Sequence, residues 1–133
     1  MRAKTVYFRF PEKRTSFVDL DCFPPIYAVA DGVIARIDYS FRLRETFVSS
    51  STGRVSNTRY GIGLLFAKSE GHAVQMHYSI EPFIDPGNEH FYDRFILVKV
   101  GKRVKKGEVI ARMYIPPDRE IAQKTHIHFN LHS

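Results

Sequence analysis

The chain has 133 residues, 44% of them hydrophobic, which is enough for one globular domain with its own core and leaves too little for a second. Its net charge of +6 predicts attraction to anionic partners, but the basic residues are scattered and form no motif specific for nucleic acid. The single cysteine, Cys22, excludes an intrachain disulfide, and no window is apolar enough for a membrane span or a signal peptide.

Short strands are predicted in the first half of the chain. Residues 5–10 alternate in character, which is typical of a strand with one buried face. Residues 26–37 predict two strands joined at Asp31-Gly32, because glycine allows the positive φ that a tight hairpin turn requires. Residues 39–59 are rich in Ser, Thr, Arg and Asn, so we predict a polar hairpin arm or a loop there.

A second hairpin is predicted at residues 60–67 and 72–80, two apolar stretches separated by a polar turn. No helical period of ten or more residues is present, and branched and aromatic side chains favour strands, so the expected fold class is all-β. The remaining predicted elements, in chain order, are a loop at 82–93, a strand at 95–98, tight turns at Gly101 and Gly107, and a strand at 126–131.

The last strand contains the pair of residues with the clearest chemical potential, His126 and His128. Residues two apart on a strand project from the same face, so the two imidazoles would lie side by side. Such a pair can bind a metal ion, although two histidines on a strand are by themselves weak evidence for a site.

Four blocks between residues 19 and 131 resemble the lysostaphin/LytM family of zinc endopeptidases, and they occur in the family's order. Residues 125–129, Thr-His-Ile-His-Phe, are similar to the family's Gly-Pro-His-Leu-His-Phe, and residues 75–79 to its Leu-Tyr-x-His-Leu-Ser. Residues 26–33 and 98–110 resemble its Val-Tyr-Ala hairpin and its glycine-punctuated turn. The resemblance implies a single domain over 1–133, built as an antiparallel, half-barrel-like β-sheet groove (duplicated hybrid motif).

The resemblance also implies a zinc site. Carried over by position, His128 and Asp19 would be zinc ligands, while His126 and His77 would flank a zinc-bound water as catalytic residues. Zinc with three protein ligands keeps a fourth position open and activates water for attack on a peptide carbonyl.

One expected ligand is missing from the sequence. The family pattern places a histidine four residues before the aspartate, where this chain has Thr15. If Asp21 is aligned instead, the position holds Phe17, and neither side chain binds zinc. The residues that remain as substitutes are Cys22, Asp21, His90 and His132, together with His72 if a bulge turns it to the face of His77.

Three functions follow from these observations. The first is a lysostaphin/LytM-like domain with weakened or lost hydrolysis that acts in peptidoglycan binding, in assembly or in regulating a partner protein. The second is an active zinc endopeptidase that hydrolyses peptidoglycan cross-link peptides with an unusual ligand set. The third is a biotinyl- or lipoyl-type carrier, which shares the glycine turns, but no lysine lies in the Met-Lys-Met or Asp-Lys-Ala context that such carriers modify.

The first two functions share a cofactor and a partner. Zinc is the expected metal, and the incomplete ligand set leaves open whether it is retained. A cell-wall peptide is the expected partner, and the family role would place the protein in the cell envelope or outside the cell. No specific nucleic-acid partner and no membrane span are expected.

Overall fold

The computed structural model describes residues 4–5, 20–49, 53–69, 72–84 and 86–132. Helical structure in these ranges is limited to α1 (Arg119–Ala122) and to 3-10 turns at Leu20–Cys22 and Asp93–Phe95. The predicted all-β class is confirmed. The strands are β1 (Lys4–Thr5), β2 (Pro25–Tyr27), β3 (Gly32–Ser49), β4 (Gly53–Ser69), β5 (His72–Ile84), β6 (Arg103–Val104), β7 (Val109–Arg112) and β8 (His126–His132).

Six strands form one antiparallel sheet in the order β1-β8-β5-β4-β3-β6, which curls like half of a barrel. β2 and β7 form a small antiparallel sheet of their own. β5 lies between β4 and β8, so residues from the middle of the chain pair directly with the C-terminal strand. This pairing assembles the candidate site.

Two hairpins make up the centre of the large sheet. β4 and β5 form the predicted second hairpin and pair as far as Ser69 and His72. β3 and β4 pair as far as Ser49 and Gly53, so the polar segment 39–59 lies within these two strands, apart from residues 50–52 outside the described ranges.

The hairpin predicted at Asp31-Gly32 is wrong. β2 pairs with β7, whereas β3 pairs with β4 and β6, so the two predicted partners belong to different sheets. Gly32 is needed for close packing: a Cβ atom there would lie 2.3 Å from the carbonyl oxygen of Leu65. Positive φ values occur instead at Gly87 (74°), Gly101 (93°) and Gly107 (89°), and tight turns were predicted at the last two.

The strand predicted at 95–98 is also wrong. Residues Asp93–Phe95 form a 3-10 turn, and only an isolated bridge between Ile96 and Ala111 follows it. Phe95 is fully buried and meets the ring of Phe23 edge-on, with ring centroids 5.2 Å apart. The apolar character of this segment therefore reflects packing of an aromatic core and not pairing in a sheet.

The central strands have one apolar face and one polar face. The apolar face packs on the aromatic core, and the alternation of side chains leaves the other face to histidines, glycines and charged residues. The buried residues on the apolar face are Tyr60, Ile62, Leu64, Met76, Tyr78, Ile80 and Ile127. Among the residues that the structure describes, no helix has the length and apolar character needed to cross a bilayer.

Candidate metal centre

The register between β5 and β8 sets the geometry of the polar face. Glu81 lies opposite His126, and Ser79 lies opposite His128. Because residues two apart on a strand share a face, both histidines project on the same side of the sheet as Glu81. Their ring centroids are 4.7 Å apart.

Glu81, His126 and His128 form a group that fits a divalent cation, and we call them the triad. Their ligand-type atoms all lie within 4.8 Å of one another. Glu81 Oε1 is 3.5 Å from His126 Nε2, and Glu81 Oε2 is 3.6 Å from His128 Nε2. Ligand atoms of a tetrahedral zinc ion with bonds of about 2.0–2.1 Å are separated by roughly 3.3–3.4 Å. The two measured separations are close to that value.

The Glu81 carboxylate is buried and compensated by neighbours. Its side chain is 2% exposed, and it receives hydrogen bonds at Oε2 from Arg59 Nη1 and Ser79 Oγ, both at 3.2 Å. A buried carboxylate without such partners would be strongly unfavourable. The ion pair with Arg59 therefore stabilises Glu81 as a charged group inside the protein.

Arg59, on β4, contacts both Glu81 of the triad and the aromatic ring of Phe41. Its Nη1 also donates to Ser79 Oγ at 2.6 Å, and its guanidinium carbon lies 4.2 Å from the centroid of the Phe41 ring. Its Nε is buried and makes no hydrogen bond within the described part of the chain. The guanidinium of Arg59 is therefore fixed in position, although one of its N–H donors lacks a hydrogen-bond acceptor in the described part of the chain.

The tautomer of His126 suits metal binding. Its Nδ1 lies 2.7 Å from the carbonyl oxygen of Lys124, and a carbonyl oxygen only accepts hydrogen bonds, so Nδ1 carries a proton. In the neutral ring, Nε2 then presents its lone pair toward Glu81. A backbone carbonyl on the far nitrogen is a common way of orienting a metal-binding histidine.

His77 lies on the same polar face but outside the triad. It is opposite Asn130 on β8, two paired positions beyond Ser79 and His128 and therefore on the same face. Its Nε2 is 3.3 Å from Asp38 Oδ2 on β3, and a carboxylate accepts the hydrogen bond, so Nε2 is protonated.

The protonation of His77 gives a testable pH dependence. Burial lowers the pKa of His77 below its ordinary value of 6.5, against the opposing effect of Asp38. As the pH falls through that value, the unfolded chain takes up a proton that the folded protein resists, so His77 makes the free energy of unfolding decrease. Above roughly pH 7.5, both states are neutral at this ring and the contribution is constant.

We therefore expect His77→Gln to flatten the decrease in stability between about pH 7 and pH 5. Urea unfolding of both proteins at a series of pH values measures this, and His90→Gln serves as the control because His90 is exposed. Parallel curves for the wild type and His77→Gln would contradict the assignment.

The structure describes only some of the site residues that were predicted from the sequence. Asp19, Thr15 and Phe17 lie outside the described residues, as do the side chains of Asp21, His72 and His132. Of the proposed substitutes, Cys22 is half-buried and belongs to no group of three ligand-type side chains among the described residues. His90 lies on the surface beside Glu89 and Asp93.

Glu81 is the residue that sequence reasoning missed. It lies four residues after His77, and Ser79 lies between them, so all three occupy alternate positions of one strand. That period of two was visible in the sequence. The pairing with His126 was not, because it depends on the register between two strands that are far apart along the chain.

Comparisons with known proteins identify no relative: no family model matches the chain, and neither does a curated protein or a solved structure. The likeness to the lysostaphin/LytM family therefore rests on the four sequence blocks, and the family's activity stays a prediction for this chain.

Proposed function

We propose that the chain is a lysostaphin/LytM-like domain that binds cell-wall peptide on its polar sheet face, with weakened or absent hydrolysis. The observation that carries the proposal is the triad, in which Arg59 pairs with the carboxylate that a metal ion would need. The three ligand-type side chains of the triad support metal binding, and the positive charge of Arg59 beside them opposes it.

Zinc is the metal that the donor set favours. Two imidazoles and one carboxylate are a common zinc ligand set, and in its neutral form His126, with the proton on Nδ1, has its Nε2 lone pair on the side of Glu81. A zinc ion so held would supply a Lewis acid with an open position for a substrate oxygen or water. Glu81, His126 and His128 would replace the combination of Asp19 and His128 that the family resemblance implies.

Active hydrolysis is the second candidate, and the same triad supports it. The sequence lacks the upstream histidine, yet Glu81 brings the number of ligand-type side chains to three. In that case His77, two residues before Ser79 on the same face of β5, would take part in catalysis, and its hydrogen bond to Asp38 would fix its orientation. Arg59 is the reason for ranking this candidate second, since its positive charge lies within hydrogen-bond distance of Glu81.

Binding and hydrolysis can be separated with purified peptidoglycan. We expect the protein to cosediment with insoluble peptidoglycan and to release no new amino groups from it, with or without added zinc. Wild type and His126→Ala are compared in both assays, and His90→Ala controls for loss of a histidine outside the site. Release of amino groups that disappears in His126→Ala would establish the peptidase, and failure to cosediment would contradict the binding domain.

A further inference from the structure

A polar cleft lies beside the triad on the same face of the sheet. It has a volume of about 420 Å³ and is lined by Arg36, Arg59, Gln75, His77 and Asn130. Every lining side chain carries nitrogen donors, and none of them is a carboxylate. Arg59 belongs both to the cleft and to the surroundings of Glu81.

Glycines on β4 provide the space for these side chains. Gly63 is paired with His77, and a Cβ atom at Gly63 would lie 2.1 Å from Gln75 Nε2 and 3.2 Å from Arg36 Cβ. A Cβ at Gly61 would lie 3.3 Å from His77 Nε2. Side chains from β3 and β5 can therefore lie across the bare backbone of β4, which forms part of the floor of the face.

The charges around the cleft are partly balanced. Arg36 Nε pairs with Asp38 at 3.1 Å, and Arg59 pairs with Glu81. A guanidinium has five N–H donors, so Arg36 has four more on its two Nη atoms. Because each arginine already shares a carboxylate, the cleft suits a singly charged anion better than a doubly charged phosphate.

The carboxamide side chains of Gln75 and Asn130 indicate which chemical group lies next to the bound anion. Gln75 and Asn130 each offer a carbonyl acceptor and an NH₂ donor, which is the pairing that a peptide backbone requires. Arginine commonly binds a carboxylate through two parallel hydrogen bonds, which gives geometric specificity as well as energy.

We propose that this cleft binds the free carboxylate at the end of a peptide segment, with Arg36 as the principal donor. The proposal deepens the proposed function and rests on it for the peptide nature of the ligand. Arg36 and Arg59 hold the carboxylate, while Gln75 and Asn130 pair with the adjoining amide. A peptide bound in this way extends along the face toward Glu81, His126 and His128.

The test compares acetyl-triglycine with its C-terminal amide, two probes that differ only in the carboxylate. Each is titrated into metal-free protein near neutral pH and followed by two-dimensional NMR. We expect the carboxylate form to bind roughly tenfold more tightly, as one charge-assisted hydrogen-bond pair would give. Equal affinity for the two probes overturns the proposal, and so does tighter binding of inorganic phosphate.

Variants assign the preference to Arg36. Its side chain is 65% exposed, so Arg36→Gln is expected to fold normally and, because Arg36 is the principal donor, to lose most of the preference for the carboxylate form. Arg103→Gln makes the same change of charge at an exposed residue of β6, outside the cleft, and is expected to retain the roughly tenfold preference. Loss of the preference in both variants would show a general charge effect and overturn the site.

Failure of the proposed function is distinguishable from failure of this proposal. The probe titration uses metal-free protein, so it measures binding to the cleft independently of whether the triad binds zinc. Cosedimentation with peptidoglycan without any carboxylate preference overturns the cleft and leaves the proposed function intact. A carboxylate preference without cosedimentation supports the cleft and contradicts the cell-wall role.

Discussion

His128→Ala is expected to lower the affinity for zinc by roughly 100- to 1,000-fold. A structural zinc ion contributes about 10–16 kcal/mol through four ligands, so one ligand accounts for about 2.5–4 kcal/mol. His128 Nε2 lies 3.6 Å from Glu81 Oε2, and losing either group leaves two of the three ligand-type side chains that the described residues bring together. Glu81→Gln should therefore produce a loss of similar size.

Zinc binding is measured by competition with a chelating dye after the protein has been stripped of metal. The wild type is expected to bind one ion per chain, and His90→Ala, which removes an exposed histidine outside the triad, should match it. Unchanged zinc affinity in His128→Ala would show that the triad is not the metal site. Loss in His128→Ala but not in Glu81→Gln would instead assign the third ligand to a residue outside the described ranges.

The histidine pair could be predicted because its geometry is local. Alternation along one strand is enough to place His126 and His128 on one face, and the structure shows their rings in contact. Glu81 required knowledge of which strand lies beside β8 and in which register. A shift of one residue would have turned its carboxylate to the core.

The two errors in the fold have the same physical origin. Asp31-Gly32 has the composition of a tight turn, but the partner of each flanking strand is decided by long-range packing against β7 and β4. The apolar run at 95–98 has the composition of a strand, but Phe95 is fixed in an aromatic cluster by a 3-10 turn. The composition of a segment indicates that its residues are buried, but it does not indicate which elements they pack against.

The position of Arg59 suggests how the site is stable without metal. Glu81 is buried in a sheet, where its charge needs a nearby cation. Arg59 supplies that cation at 3.2 Å, so the protein can fold around the carboxylate in the absence of an ion. A metal ion bound to the triad would therefore compete with Arg59 for Oε2 of Glu81.

Arg59→Met is expected to raise the affinity for zinc by roughly 10- to 100-fold. Arg59 Nη1 is 3.2 Å from Glu81 Oε2, so an ion bonded to that oxygen would lie within about 5 Å of the guanidinium. The repulsion is about 7 kcal/mol at an effective dielectric constant of about 20, and solvent screening reduces it to a few kcal/mol. Orientation of Glu81 by Arg59 is worth only about 1.4–2.7 kcal/mol in the opposite direction, so repulsion dominates.

The same substitution should destabilise the metal-free protein, because it leaves a buried carboxylate without its cation. We expect a loss of about 2–3 kcal/mol in the free energy of unfolding, largely restored by saturating zinc. Arg59→Lys keeps the positive charge and should resemble the wild type in zinc affinity. Chelator competition and urea unfolding measure the two effects on the same samples. Weaker zinc binding in Arg59→Met would mean that Arg59 orients Glu81 for the metal, in which case the arginine would no longer explain weakened hydrolysis.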